Sequence, residues 1–282
     1  MAGAVFQVGE QKIRPGVYVR VTSTGEPVAA MVPQGIVATL FRGSWGPLGK
    51  ATTIESAEVI SPKFGDSGTV DAPKENFRGG CRQVVGYRLG TGGAKATVIL
   101  KDTTATPVDV VKLEALYEGE RGNGFSATVR DSLVDETKRE LLLYEGVTLR
   151  QTVRFSKGTN EHQALVEAIN ASNSPWITAT KLADGNKTLA AVAQAPLTGG
   201  EDPTVTGEDY SAGLSVIEAV DWNVLCVDAD DPTTHTVIQA YINRVRNEGK
   251  RVIGVVGEPT KIGQASVELD TRLANARAFN DP

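Results

Sequence analysis

Hydrophobic periodicity changes twice along this chain, and the change limits what it can fold into. Near the start and again near the end, short apolar runs alternate with segments of helical spacing. Between about Ala94 and Ala195 most segments are strand-like and separated by turn residues. The pattern reads as mixed α/β: an α/β core domain split by an inserted β-sandwich, with an extended N-terminal arm outside both.

Residues 35–41 form an apolar run closed by Arg42-Gly43-Ser44-Trp45-Gly46-Pro47, a buried strand ending in a Gly/Pro turn. Residues 83–89 form a second such strand, and 54–64 and 73–81 are expected as short helices between them in a βαβ-like unit. In the middle block, strands are expected over 96–100, 108–116, 125–129, 140–144, 148–155 and 188–193. One helix, 160–170, interrupts them, with Asn160 as N-cap and Leu165, Val166 and Ile169 on one side. After the break at 197–203 come a helix over 210–220, a strand over 222–227 and a helix from Asp230-Asp231-Pro232 to about Asn247. In that last helix Val237, Ile238, Tyr241, Ile242 and Val245 keep 3-to-4 spacing. A strand over 252–256 and a helix over about 266–278 complete the reading. Expected boundaries are 1–25 for the arm, 26–94 and 198–282 for the two parts of the core, and 95–197 for the insertion.

The arm is expected as a strand behind a rigid turn: Pro15 fixes φ, Gly16 permits the turn, and Val17, Tyr18, Val19, Arg20 and Val21 alternate. The 30 glycines and 13 prolines suit many short strands and turns rather than a helical bundle. No apolar run approaches the roughly 20 residues of a membrane span, so membrane insertion is not expected. A secretory signal pattern is also missing from the N-terminal residues, which points to folding in a cytoplasm. A net charge of −5 with scattered Lys and Arg argues against a nucleic-acid surface. Cys81 and Cys226 lie in separate segments and read as buried reduced thiols.

Chemistry-bearing patterns are sparse, and no catalytic residue, cofactor or metal ligand is assigned. His162 and His235 lack metal-ligand or base-orienting spacing and are expected to be solvated or on helix surfaces. Gly90-Thr91-Gly92-Gly93 lacks the Lys-Ser/Thr of a phosphate loop and reads as a hairpin-type linker. Asp228, Asp230 and Asp231 stand where an open α/β sheet carries ligands, but Asp-Asp-Pro also makes a helix start, the favoured reading. Glu201, Asp202, Glu208 and Asp209 lack EF-hand spacing and are expected to line a solvated linker. Gly122-Asn123-Gly124 signals a tight turn with Asn123 able to adopt a left-handed conformation, Trp45 and Trp222 read as packing residues, and Trp176 as half exposed.

Five stretches share an order and spacing across nearly the whole chain: Arg14-Pro15-Gly16-Val17-Tyr18-Val19, Ser44-Trp45-Gly46-Pro47, Tyr117-Glu118-Gly119-Glu120-Arg121-Gly122-Asn123, Leu197-Thr198-Gly199-Gly200-Glu201-Asp202 and Trp222-Asn223-Val224-Leu225. Together they resemble the tail sheath proteins of contractile phage tails and tailocins. The resemblance implies a non-enzymatic virion component, assembled in the host cytoplasm as six-membered rings or a six-start helix around a tail tube protein. Such a sheath contracts to drive the tube through the target envelope, with baseplate and tail terminator proteins as further partners and no cofactor. It also implies a core that is subtilisin-like in fold without being a protease, and an arm of Arg14, Pro15, Gly16, Val17, Tyr18, Val19, Arg20 and Val21 that adds a strand to a neighbouring subunit. Members of the family usually continue beyond the position of Pro282 with a further domain and a C-terminal arm, and a chain without them is expected to assemble poorly. The competing reading is an α/β hydrolase-like or ligand-binding enzyme with a β insert, resting on Asp228 and Asp231 at a strand end. A third is an adhesin or another tail component that recognises through its β domain.

Overall fold

The computed structural model describes residues 35–229, 231–257 and 277. The expected arm strand, Arg14 to Val21, lies outside them, as does the expected helix over 266–278 apart from Arg277.

A five-stranded sheet is built from both ends of the described chain. Strands β1 (Ile36–Phe41) and β3 (Gln83–Arg88) come from the first part, with β2 (Ala51–Ile54) between them in sequence. β11 (Val224–Val227) and β12 (Ile253–Val256) come from the last part, and the order is β12-β11-β1-β3-β2. All neighbours pair in parallel except the β2–β3 pair, which is antiparallel. Burial on both faces explains why β1 reads as an unbroken apolar run rather than an alternating one. One face packs on α4 (Gly207–Ile217) and α5 (Pro232–Asn247) through Leu40, Leu225, Leu214 and Ile242. The other packs on α1 (Ile60–Phe64) and α2 (Asp71–Arg78), where the Phe41 and Phe64 rings meet edge-on at 4.9 Å.

Between β3 and α4 the chain forms a sandwich of two antiparallel sheets. One has the order β4-β5-β9, from Thr97–Lys101, Asp109–Ala115 and Ile177–Lys181. The other is β10-β6-β7-β8, from Val192–Pro196, Phe125–Asp131, Lys138–Glu145 and Thr148–Ser156. Alternation puts Val111, Leu113 and Ala115 of β5 opposite Ala127, Val129, Leu141 and Leu143 in one apolar core. Helix α3 (Glu161–Ala171) contacts both β8 and β9 and adds Leu165 and Ile169 to that core. Its start is fixed by a buried ion pair, Arg139 Nη1 to Glu161 Oε2 at 2.7 Å, and the same oxygen accepts from the Leu189 amide.

Several local expectations need correction. The expected helical stretch over 54–64 begins only at the 3-10 turn Ala57–Val59, because the β-branched Thr52 and Thr53 lead into β2 and Ile54 pairs with Val84. Strand β9 was not anticipated, since Thr178 and Thr180 alternate with only two buried side chains, Ile177 and Ala179. The strand expected over 188–193 starts later, at Val192, although Leu189 is buried and bridges to Asp102. Asn160 occupies the N-cap position of α3 but its side chain makes no capping bond. Asp231 does cap α5, accepting from the Thr234 amide at 2.8 Å with Pro232 behind it.

One corner of the sandwich is organised by a carboxylate. Asp102 accepts from the Val108 amide at 2.8 Å, the Thr104 hydroxyl at 2.7 Å and the Asn186 amide at 2.9 Å. The Val108 amide leads in holding its pKa down to about 2, burial acting against it. Because the folded value is depressed, this stabilisation is present above the unfolded pKa near 4 and is lost as pH falls toward about 2. Melting temperatures measured between those limits should therefore fall more steeply for the parent chain than for Asp102→Asn, and parallel curves would contradict the assignment.

Candidate functional site

Arg88 ends β3 inside an apolar run, fully buried. Its guanidinium donates through Nε to Gly43 O at 2.8 Å, through Nη1 to Gly46 O at 2.8 Å and through Nη2 to Glu118 O at 3.0 Å. The first two carbonyls belong to the loop after β1, and the third to the segment that enters the sandwich. Burial pulls the pKa down to about 10, opposed by the carboxylates of Asp202 and Glu118, so the group stays charged at neutral pH. A planar fork of five donors suits three carbonyls arriving from different directions, which a lysine could not satisfy together.

The same loop carries Trp45 across the junction. Its indole is part of the sandwich core, edge-on to Tyr117 at 5.3 Å and to Phe125 at 5.4 Å. Main-chain geometry makes this reach possible: Gly46 has φ +93°, and a Cβ there would sit 2.4 Å from Lys63 O. Gly119 is under a tighter version of the same constraint, with φ +136° and a would-be Cβ 2.0 Å from Ser44 O. The two segments therefore pack main chain to main chain.

Arg121 makes the reciprocal connection. From the 3-10 turn Glu120–Gly124 its Nη1 donates to Pro62 O at 2.7 Å and Ser61 O at 3.1 Å, both in α1. Its Nε donates to Glu145 at 2.7 Å, and the guanidinium lies over the Trp176 ring at 5.4 Å. Arg150 also bonds Glu145 at 2.7 Å and lies over Trp176 at 5.4 Å. Burial would raise the Glu145 pKa, but the two guanidinium groups outweigh it and hold it below the ordinary value. The return of the chain to the core is fixed as well: Asn123 exchanges two bonds with Gly200, each at 2.8 Å, and Asp202 accepts from the Glu120 amide at 2.9 Å. Outgoing and returning linkers bridge antiparallel at Thr91–Thr204, Ala94–Glu201 and Thr97–Thr198.

Beside this junction, at the carboxyl ends of the parallel strands, the side chain of Asp228 is buried and gathers three donors: Arg42 Nε at 3.0 Å, Tyr210 OH at 2.9 Å and the Thr69 hydroxyl. Burial and then the Asp228 charge push the Tyr210 pKa well above its ordinary value. A cleft of about 280 Å³ next to them is lined by Arg42, Thr69, Leu89, Asp202 and Pro203 among others. The Asp228 carboxylate is thus engaged in holding β11 to the loops of the first part. Asp231 caps its helix instead of joining Asp228, and among the described residues no three His, Cys, Asp or Glu side chains gather as a metal site.

Three of the stretches singled out in the sequence, 44–47, 117–123 and 197–202, meet at this junction. Other expectations are corrected by it. Asn123 is not left-handed; it sits in a 3-10 turn and uses its side chain to bind Gly200. Residues 90–93 form no hairpin but pair with the return linker. Asp202 and Asp209 do not face solvent freely, since Asp209 is buried in a capping box with Thr206 at the start of α4. Both histidines are buried rather than superficial. His162 faces inward from α3, its Nε2 3.4 Å from Asp184, and His235 places Nε2 2.9 Å from Ala229 O. Cys81 and Cys226 are free thiols, but each is only partly buried. Trp45 and Trp222 are packed and Trp176 is partly exposed, as expected. Arg88 was passed over, although a lone arginine inside Val84-Val85-Gly86-Tyr87-Arg88-Leu89 is a signal for a buried, main-chain-directed cation.

Comparison with known proteins points the same way across both parts. The phage tail sheath protein β-sandwich domain matches residues 91–202, and the phage tail sheath protein central domain matches 204–275. Two Bacillus subtilis (strain 168) proteins are similar over 265 residues: YqbK, 27% identical over 91% of this chain, and the phage-like element PBSX protein XkdK, 26% identical over 90%. The chain spans 55% of the length of each. In fold it is similar to the sheath tail protein Lin1278 from Listeria innocua, with TM-score 0.63 and 24% identity over 79% of this chain and 48% of that one. The sheath tail protein DSY3957 from Desulfitobacterium hafniense gives 0.61 and 24%, over 85% and 52%.

Removing the junction contacts should destabilise the fold. Trp45→Ala should lower unfolding free energy by about 3–5 kcal/mol in denaturant titrations, as for a large aromatic truncated in a core. Gly119→Ala should also destabilise clearly, whereas Gly124→Ala, where a Cβ meets nothing within 4 Å, should be near neutral. Equal effects at the two glycines would contradict the close main-chain approach.

Proposed function

The chain belongs to the phage tail sheath family, and on that premise we propose that it is a subunit of a contractile sheath that polymerises around a tail tube and shortens to drive the tube through an envelope. The family is structural rather than enzymatic, so the reading as a hydrolase-like enzyme with a β insert is set aside. Family membership implies oligomeric assembly of sheath subunits in a phage-type tail. Six-fold rings or a six-start helix, the tube, baseplate and terminator partners, a tailocin or phage particle, and assembly in the host cytoplasm extend that implication. So do a subtilisin-like core and the division into an arm over 1–25, a core over 26–94 and 198–282, and an insertion over 95–197.

The observation that carries the reading is the junction. A sheath subunit has to transmit force between a part near the tube and a part projecting from it without the two hinging. Arg88, Trp45 and Arg121 each cross from one layer to the other, and the two linkers pair side by side. Such a joint carries a rotation of the sheet directly into the sandwich. Shortening would then be a change in how rigid subunits pack, driven by differences in intersubunit contacts and needing no nucleotide.

Continuity between subunits is assigned to the arm. Arg14, Pro15, Gly16, Val17, Tyr18, Val19, Arg20 and Val21 would add a strand to an edge of a neighbour's sheet, with main-chain bonds giving attachment and alternating side chains giving register. Deleting residues 1–21 should leave the melting temperature unchanged while abolishing polymer formation seen by negative-stain microscopy and sedimentation. A large loss of thermal stability would place that strand in its own subunit's core, and undiminished polymers would remove it from the interface.

A further inference from the structure

The far end of the sandwich carries an apolar pair where a turn ordinarily carries polar residues. Strands β6 and β7 are joined by Ser132-Leu133-Val134-Asp135-Glu136-Thr137, and Leu133 and Val134 are each 79% exposed. The turn itself is well bonded. Asp135 Oδ1 accepts from the Thr137 amide at 2.9 Å and from its hydroxyl at 2.6 Å, Ser132 Oγ accepts from the Val134 amide at 3.3 Å, and the Ser132 amide reaches Lys138 O at 3.0 Å. Two aliphatic side chains are thus held out from a fixed main chain, so burying them against another surface costs little ordering entropy. Asp135 and Glu136 stand beside them, while Lys157 engages Asp131 behind the turn at 2.8 Å.

The opposite end of the same sandwich holds a cleft of about 410 Å³, lined by Leu116, Ile169 and Ile177 together with Asn170, Asn173 and Ser174. Trp176 places it: its carbonyl accepts from the Leu116 amide at 2.8 Å, and its ring lies 5.7 Å from that of Phe125, the first residue of β6. The seven residues of β6 then separate this end from the tip by about 20 Å, so no copy can bring its own turn to its own cleft. Two groups next to the cleft each carry one net positive charge. Arg121 and Arg150 share Glu145 beside Trp176, and Lys95 and Lys112 share Glu114, the register partner of Thr178. The cleft of about 280 Å³ beside Asp228 offers charged walls instead, from Arg42 and Asp202.

Family membership implies that copies of this chain assemble, and a turn at one end with a cleft at the other is the arrangement of a head-to-tail contact. We propose that the Leu133–Val134 turn of one copy seats in the Leu116–Ile169–Ile177 cleft of a second copy, with Asp135 and Glu136 meeting Arg150 and Lys112 beside it. The proposal rests on assembly of copies and needs neither the arm nor contraction. Two side chains bury far less than the roughly 1,200 Å² of a stable interface, so the contact adds to others in a polymer and does not hold a dimer by itself.

Disulfide trapping, which captures weak contacts, tests this on the full chain in a Cys81→Ser, Cys226→Ser background, by mixing a Val134→Cys chain with an Asn173→Cys chain. The mixed disulfide should exceed either like-with-like disulfide at least about tenfold, because a seated turn holds the two thiols at a high effective concentration. Adding Leu133→Asp to the first chain should remove that excess. Its melting temperature, unchanged for a side chain 79% exposed, is the control for folding. Mixed and like-with-like disulfides in equal yield overturn the proposal, and so does an excess that survives Leu133→Asp. Polymers seen by negative stain in a mixture that gives no excess overturn it while leaving the sheath reading intact, whereas a mixture with neither polymers nor mixed disulfide counts against both.

Discussion

A buried guanidinium that finds three main-chain carbonyls is the constraint around which this molecule is arranged. Taking a charge out of water is costly, and Arg88 offsets that cost only while Gly43, Gly46 and Glu118 all present their carbonyls to it. Losing any one leaves part of a buried cation unsatisfied. The loop after β1 and the entry to the sandwich are therefore held to one geometry, and the close contact of Gly119 with Ser44 follows from it.

That geometry makes an inserted domain behave as an extension of its host. A two-linker insertion can ordinarily swing, because its linkers supply most of the attachment. Here Trp45, a residue of the sheet's own loop, is packed in the sandwich core, and Arg121, a residue of the insertion, bonds the carbonyls of α1. The two contributions are reciprocal: Trp45 is buried in the sandwich core, and the partly buried Arg121 reaches the main chain of α1. Beside the junction Asp228 performs a parallel task, drawing Arg42, Thr69 and Tyr210 onto the end of β11.

Elements with strong local signals were legible before any coordinates. The continuous run in β1, the Asp231-Pro232 start of α5 and its 3-to-4 stripe each carry their own explanation in adjacent residues. Strands β2 and β9 were not legible, because their short Thr-rich sequences become strands only by pairing with β3 and β5. The histidines were misread for a related reason: burial of His162 and His235 depends on which side of a helix meets the core, and polar residue type alone does not report it. The junction was half legible. Its three glycine-containing stretches stood out, yet nothing in their spacing revealed that they converge on Arg88, since hydrogen bonds from one side chain to distant main-chain carbonyls leave no local periodicity.

The central claim is mechanical unity of sheet and sandwich through Arg88, and scanning calorimetry of the parent chain and of Arg88→Met tests it most directly. A single cooperative transition in the parent that divides into two in the variant, the sandwich and the sheet melting apart, is the predicted result. A parent in which the two already melt independently, or a variant that keeps one transition, would contradict it.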